Sequence, residues 1–284
     1  MKLVFIHGMR QEGKHPAEIM ALWRNTLEET WNGMGLSFPK SNVVMPFYGD
    51  ELDRLTRALQ QPTEVSIKGE TISAAGTEDA LIREYATGLG VTDAEIQSVI
   101  DREILEKGIT EWRWTLSAMR ALETRVPFFR NIGIGFFEQV DAYLCRPHIT
   151  KAIDTIVSGA LGEGPSVVVA HSLGTIVGYR VLRNASTTGF AQLFVTIGSP
   201  LGMNVVKDRL RPPPLKKPDG VLRWINASDP RDYVALYPVL DSATFAEEIE
   251  NIADIQNSPG HAHSIGEYLR DSRLALAIYE ALSS

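Results

Sequence analysis

The chain has 284 residues, 44% of them hydrophobic and 22% charged, so it can bury a substantial core and is not globally disordered. Its net charge of −7 comes without a block of lysine or arginine, which argues against nucleic acid and anionic membranes as partners. A single cysteine, Cys145, precludes an intrachain disulfide and reads as a small buried hydrophobe. No signal-peptide core and no membrane-length apolar stretch is found, so the expected compartment is the cytoplasm.

Leu3–Ile6 is a short β-prone run closed by His7-Gly8, which predicts a buried strand. Pro16 to Trp31 predicts a helix: Ile19, Leu22, Trp23, Leu27 and Trp31 share one face, and proline suits a first helical turn. Asn42–Tyr48 reads as a second strand. Residues from Asp50 to about Arg130 are more charged, helical in pattern and repeatedly interrupted by glycine. Gly135–Leu161 predicts a helix with a kink or break at Pro147. Ser166–Ala170 is the strongest buried-strand signal, and Leu173–Leu182 the helix after it. Ala191–Ile197 and Val221–Asn226 read as strands, with a proline-rich loop at Arg211–Pro218 between them. Phe245–Gln256 fits strand or helix, and Ile265–Leu282 predicts a closing helix.

Strands alternating with helices imply an α/β fold: a mostly parallel sheet flanked by helices, with ligands at the carboxyl ends of the strands. The residues there carry the chemistry. Ala170-His171-Ser172-Leu173-Gly174 has the small-x-Ser-x-small spacing of a sharp strand-to-helix turn. Such a turn lifts a serine hydroxyl above the sheet, and bulky residues two places away would clash. The competing reading of Ser172 is a plain helix N-cap.

These pieces together resemble the α/β-hydrolase superfamily, in particular its lipase- and esterase-like members. The resemblance rests on Phe5-Ile6-His7-Gly8, Ala170 to Gly174, Thr196 to Pro200, Asp232-Tyr233-Val234, and His263-Ser264 followed by Tyr268-Leu269. It implies a minimal sheet, since the hairpin strands usual before the His-Gly strand are missing, and one domain over 1–284. It implies further that residues 50–135 form a helical cap over the site, with Trp112, Phe128 and Phe129 among its candidate substrate contacts.

A serine hydroxyl needs a base within hydrogen-bond reach. His7 is expected to be structural, His15 and His148 lie on or beside helices before the nucleophile, and His171 is expected to point away from the attacking oxygen. His261 and His263 remain; the resemblance favours His263. The base needs an orienting carboxylate. Asp232 matches the family pattern, while Asp229, before Pro230, reads more simply as a turn residue. The resemblance assigns the oxyanion donors to the backbone amides of Met9 and Leu173. Arg10 is read as a solvated loop charge, with contact to an anionic substrate as the alternative.

The expected activity is cleavage of an acyl ester through an acyl-enzyme on Ser172, Asp232 and His263, with a small-molecule ester as partner and no cofactor or metal. Thioesterase, amidase or acyltransferase chemistry would use the same residues. Two readings of another class are a hydrolase fold kept only for binding, and a phosphate-binding loop at Gly8–Lys14. The second is weakened by His15 where a magnesium-binding Ser or Thr belongs.

Overall fold

The computed structural model describes residues 1–60, 75–99, 111–126, 135–162, 164–185 and 191–284. Six strands, all paired in parallel, form one sheet: β1 (Lys2–Ile6), β2 (Asn42–Val44), β3 (Ser166–His171), β4 (Ala191–Ile197), β5 (Val221–Ala227) and β6 (Glu250–Ile252). Their order is β2-β1-β3-β4-β5-β6, with Leu3 opposite Val43 on one side and Val167 on the other. The chain therefore reverses its direction of sheet growth between β1 and β3. In open parallel sheets such a switch point opens a crevice at the carboxyl ends of its two strands.

The two faces of the sheet follow from alternation along the strands. Val4, Ile6, Val168, Ala170 and Phe194 belong to one buried cluster, and Leu3, Phe5, Val167, Val169 and Leu193 to the other. The second cluster is covered by α1 (Pro16–Gly33), through Trp23, Leu27 and Trp31, and by the C-terminal helix (Ser272–Ser283), through Leu274 and Ile278. Trp31 donates its indole N–H to the carbonyl of Ala275 at 2.8 Å, which joins these two helices.

The first cluster is covered by the remaining helices in chain order: α2 (Gly49–Gln60), α3 (Ala75–Gly88), α4 (Asp93–Ser98), α5 (Glu111–Arg125), α6 (Gly135–Cys145), α7 (Pro147–Leu161), α8 (Leu173–Asn184) and α9 (Asn204–Leu210). On the other face the closing segment forms α10 (Ile265–Tyr268) and α11 (Ser272–Ser283), the C-terminal helix over the second cluster.

The predicted helix over 135–161 is two helices, with Pro147 opening the second, where its missing N–H costs nothing. The strand expected over 42–48 ends at Val44, and the ambiguous stretch 245–256 contributes only the edge strand β6. The helix over 265–282 breaks at Asp271, whose carboxylate accepts the N–H groups of Arg273 and Leu274 and so starts a new helix. Helix α9 was not expected; the carboxylate of Glu84, on α3, accepts the N–H groups of Asn204 and Val205 at its start.

The described part of the inserted segment does not stand apart from the sheet. Leu81, Ile82, Tyr85 and Leu122 are buried in the same cluster as Val4 and Phe194. Tyr85 donates to the carbonyl of Val234 at 3.2 Å, which ties α3 to the loop after β5. Phe128 and Phe129 lie outside the described residues, as does the side chain of Trp112. Among the described residues, no helix is long and apolar enough to cross a membrane.

Candidate active site

The crevice between β1 and β3 is occupied by the turn from β3 into α8. Ser172 has φ 56° and ψ −130°, a backbone region that residues with a Cβ avoid, and its side chain is buried. Holding a non-glycine residue there costs on the order of 1–3 kcal/mol, so the surroundings must impose it. They do so from both sides. The Ser172 N–H is bonded to the carbonyl of Ile197 on β4 at 3.0 Å. Two residues on, a Cβ at Gly174 would stand 2.4 Å from the carbonyl oxygens of Ile6 and His7, so only glycine lets α8 start this close to β1. Ala170, two residues before, is fully buried. The expected steric demand for small residues on both sides of the serine is met.

The His-Gly turn after β1 is locked by a neutral imidazole. His7 Nδ1–H donates to the carbonyl of Gly8 at 2.6 Å, and Nε2 accepts the N–H of Tyr48 at 3.1 Å. This tautomer is the one that satisfies both bonds. The Tyr48 hydroxyl donates to the His7 carbonyl, and the two rings stack at 4.0 Å. The strand expected over 42–48 stops at Val44, before Pro46, which has no N–H for a ladder, and Tyr48 turns inward to His7.

Burial lowers the imidazole of His7 from 6.5 to about 4. The unfolded chain then binds a proton between these values that the folded chain refuses. The part of the stability that His7 supplies is full above about pH 6.5 and falls by roughly 3 kcal/mol as pH drops through that window. Urea unfolding at pH 7 and pH 4.5 should show this loss in the wild type, reduced by about 2 kcal/mol in His7→Gln. An identical pH slope in the two proteins would remove His7 as its source.

The loops after β5 and β6 bring an aspartate and a histidine together. His263 Nδ1–H donates to Asp232, at 2.8 Å from Oδ2 and 3.0 Å from Oδ1. Asp232 is buried, and its other bonds hold it still: Val234 N–H to Oδ1 at 2.9 Å, and the Tyr268 hydroxyl to Oδ2 at 2.7 Å. The pair presses against Gly198, at the end of β4. There φ is +54°, and a Cβ would stand 2.6 Å from Asp232 Oδ2 and 2.9 Å from His263 Nδ1. Tyr268 also accepts the N–H of Asp229 at 2.9 Å, so one phenol joins the two aspartates of this loop.

The alternative residues are placed otherwise. Asp229 is buried, and burial alone opposes its ionisation. The Arg231 guanidinium, at 2.8 Å, together with the N–H groups of Arg231 and Asn257, outweighs this and holds the carboxyl below its usual range. These bonds make Asp229 the anchor of a turn. His261 lines the same cavity as His263 but is exposed, and the ring held by Asp232 is that of His263.

Ser172, His263, Gly8 and Met9 line one cavity of about 280 Å³, together with Arg10 and Phe136. Leu173 is buried as the first residue of α8. Its amide is one of the first-turn N–H groups for which a helix has no internal acceptor. Met9 and Leu173 therefore flank Ser172 from the two strands of the crevice. Arg10 is exposed and has φ 57°, with its N–H 3.4 Å from Gln139 Oε1. The Gly8–Lys14 loop offers little to a phosphate: the Gly13 N–H goes to the Asp50 carboxylate at 2.7 Å, which would repel an anion.

His171 was expected to turn away from the attacking oxygen, and it lines the same cavity as Ser172 and His263. The structure gives it a further place. Its Nε2–H donates to the carbonyl of His263 at 3.0 Å, and the two rings lie 4.4 Å apart. The edge of Trp23 closes its other side. Burial, and then the proximity of His263, pushes its pKa well below the usual histidine range, so it stays neutral and keeps the Nε2 proton. His171 is thus a positioning residue for His263. The only hint in the sequence was a second histidine beside the serine, which says nothing of a bond to a backbone 92 positions away. His171→Phe keeps the ring packing and loses the donor, a change of about 1 kcal/mol. Were Ser172 and His263 to act as nucleophile and base, turnover would show a kcat lower by about fivefold to tenfold, an unchanged KM, and partial recovery in His171→Gln. Unchanged kcat in the phenylalanine variant would reduce His171 to a packing residue.

Among the described residues, no group of three or more His, Cys, Asp or Glu side chains could hold a metal ion. The chain matches no protein-family model, and no curated protein matches it.

Proposed function

We propose that this chain is a serine hydrolase of the α/β-hydrolase type that cleaves acyl esters, with Ser172 as nucleophile, His263 as base and Asp232 as its orienting carboxylate. One observation carries the reading. A serine held in strained backbone at the end of a central strand shares a cavity with a histidine whose far nitrogen is fixed by a buried carboxylate.

In the proposed reaction Ser172 Oγ attacks the ester carbonyl as its proton passes to His263 Nε2. The negative carbonyl oxygen is met by the amides of Met9 and Leu173. Collapse of the tetrahedral adduct expels the alkoxide, which takes the proton from His263, and leaves an acyl-serine. Water, deprotonated by the same nitrogen, then releases the acid and restores Ser172. Asp232 holds Nδ1–H so that Nε2 is the basic nitrogen at each step, and it stabilises the imidazolium while it lasts.

The test is a panel of nitrophenyl esters of graded chain length, with a thioester and an amide of the same acyl group, alongside labelling by a fluorophosphonate. Esters should be turned over fastest. Preference for the thioester or amide would move the activity to that bond on the same residues. Absence of both labelling and turnover would leave a hydrolase fold used for binding.

A further inference from the structure

Behind the imidazole of His263, the carboxylate of Asp232 meets a phenol that the reaction above does not use. Tyr268, in α10, is fully buried in the same cluster as Leu269 and Leu274. Its hydroxyl bonds the N–H of Asp229 at 2.9 Å and Asp232 Oδ2 at 2.7 Å. A backbone N–H can only donate, so the phenol oxygen accepts there and gives its own hydrogen to the carboxylate. Burial, and then the charge of Asp232, push the phenol well above the ordinary tyrosine range, so that hydrogen stays in place. The amide it accepts is fixed in turn, because the Asp229 carboxylate is tied to Arg231 at 2.8 Å and to the N–H of Asn257 at 2.7 Å. Ring and hydroxyl are thus both held.

Each donor that Asp232 accepts disperses its negative charge, and that charge is what favours the protonated imidazole. Val234 N–H takes Oδ1 and the Tyr268 hydroxyl takes Oδ2, while His263 Nδ1–H shares both oxygens. The other ionisable groups around this pair come from separate elements. His171, after β3, is held neutral by burial, and Tyr85, on α3, is kept protonated by burial. Arg10, after β1, and His261 line the cavity, Arg231 pairs with Asp229, and Glu267 turns to the Ser258 hydroxyl. A change confined to the Tyr268 hydroxyl leaves all of these in place and alters only the charge that Asp232 presents. A protonated imidazole cannot act as base, so a carboxylate that favours it more strongly shuts the reaction off at a higher pH.

We propose that Tyr268 is a positioning residue for the base: its hydroxyl draws charge from Asp232, so that His263 resists protonation and Nε2 stays free to take the Ser172 proton in more acidic solution. This rests on the serine-hydrolase reading above and adds to it a residue that acts through Asp232 rather than on a substrate.

The experiment follows kcat/KM for nitrophenyl acetate against pH in the wild type, in Tyr268→Phe, and in protein carrying 3-fluorotyrosine at position 268, whose fluorine withdraws electrons and makes the phenol a stronger donor. Tyr268→Phe loses the donor, so the pH of half-maximal kcat/KM on the acidic limb should rise by about 0.5 to 1. In the fluorinated protein it should move the opposite way, by a smaller amount. The half-point does not depend on how much of the protein is folded. The fluorinated protein keeps both hydrogen bonds, so it carries the test alone should the phenylalanine variant fail to fold. A half-point unmoved in either folded variant, or moved the same way in both, makes Tyr268 a packing residue and overturns the proposal, while turnover itself leaves the serine hydrolase standing. No turnover by the wild type at any pH overturns both.

Discussion

Ser172→Ala is expected to abolish fluorophosphonate labelling and to lower ester turnover by roughly 10⁴-fold to 10⁶-fold, the loss that removal of a nucleophile from a cooperating triad produces. The protein should remain folded, because alanine keeps the Cβ and gives up only one hydroxyl. A companion variant separates chemistry from strain. Ser172→Gly removes the same nucleophile, but glycine occupies φ 56° without the penalty that alanine bears. It should be more stable than Ser172→Ala by about 1 kcal/mol in urea unfolding, with activity equally lost. Near-wild-type turnover in Ser172→Ala would end the serine-hydrolase reading outright. Equal stability of the two variants would show instead that the backbone at the turn relaxes once the serine is gone.

Much of this arrangement was legible before the fold was seen, and for identifiable reasons. Buried parallel strands are apolar on both faces, so Leu3–Ile6, Ser166–Ala170 and Ala191–Ile197 stood out against the amphipathic helices between them. The carboxyl ends of these runs then told where to look, and the elbow around Ser172 announced itself by its small flanking residues. What the pattern could not carry was anything decided by side chains meeting across the fold. Tyr268 was visible only as part of a matching segment, yet its hydroxyl bridges Asp232 and the amide of Asp229. His171 reaches the His263 carbonyl. Thr56 lies in the charged, helix-patterned stretch after Asp50 and belongs to no motif, and it is the fold that turns it inward. Strand β2 was overestimated past Val44, because Pro46 has no N–H to give to a ladder and Tyr48 is drawn away to His7.

Asp232→Asn should fold and lose about 10³-fold to 10⁴-fold of ester turnover, and the reason lies in the bonds around this carboxylate. Both oxygens already accept donors: Oδ1 from Val234 N–H and Oδ2 from the Tyr268 hydroxyl, with His263 Nδ1–H donating to the pair. An asparagine must turn its NH₂ toward one of these sides. If the NH₂ takes the Oδ1 position it meets the Val234 N–H, and a backbone amide cannot turn round to accept. If it takes the Oδ2 position it faces Tyr268, whose hydroxyl can rotate, and His263 Nδ1. The second arrangement is therefore favoured, and it drives His263 to carry its proton on Nε2. That nitrogen can then no longer receive the proton of Ser172, so the nucleophile is present but unactivated. Asp229→Asn makes the contrasting case. It weakens a turn held by Arg231 and Asn257, so it should lower the urea midpoint while turnover per folded molecule stays within tenfold. Measured together by steady-state kinetics and unfolding, the two variants should separate cleanly, one losing rate and the other stability. The opposite pattern, rate lost at Asp229 and kept at Asp232, would transfer the orienting role to the earlier carboxylate.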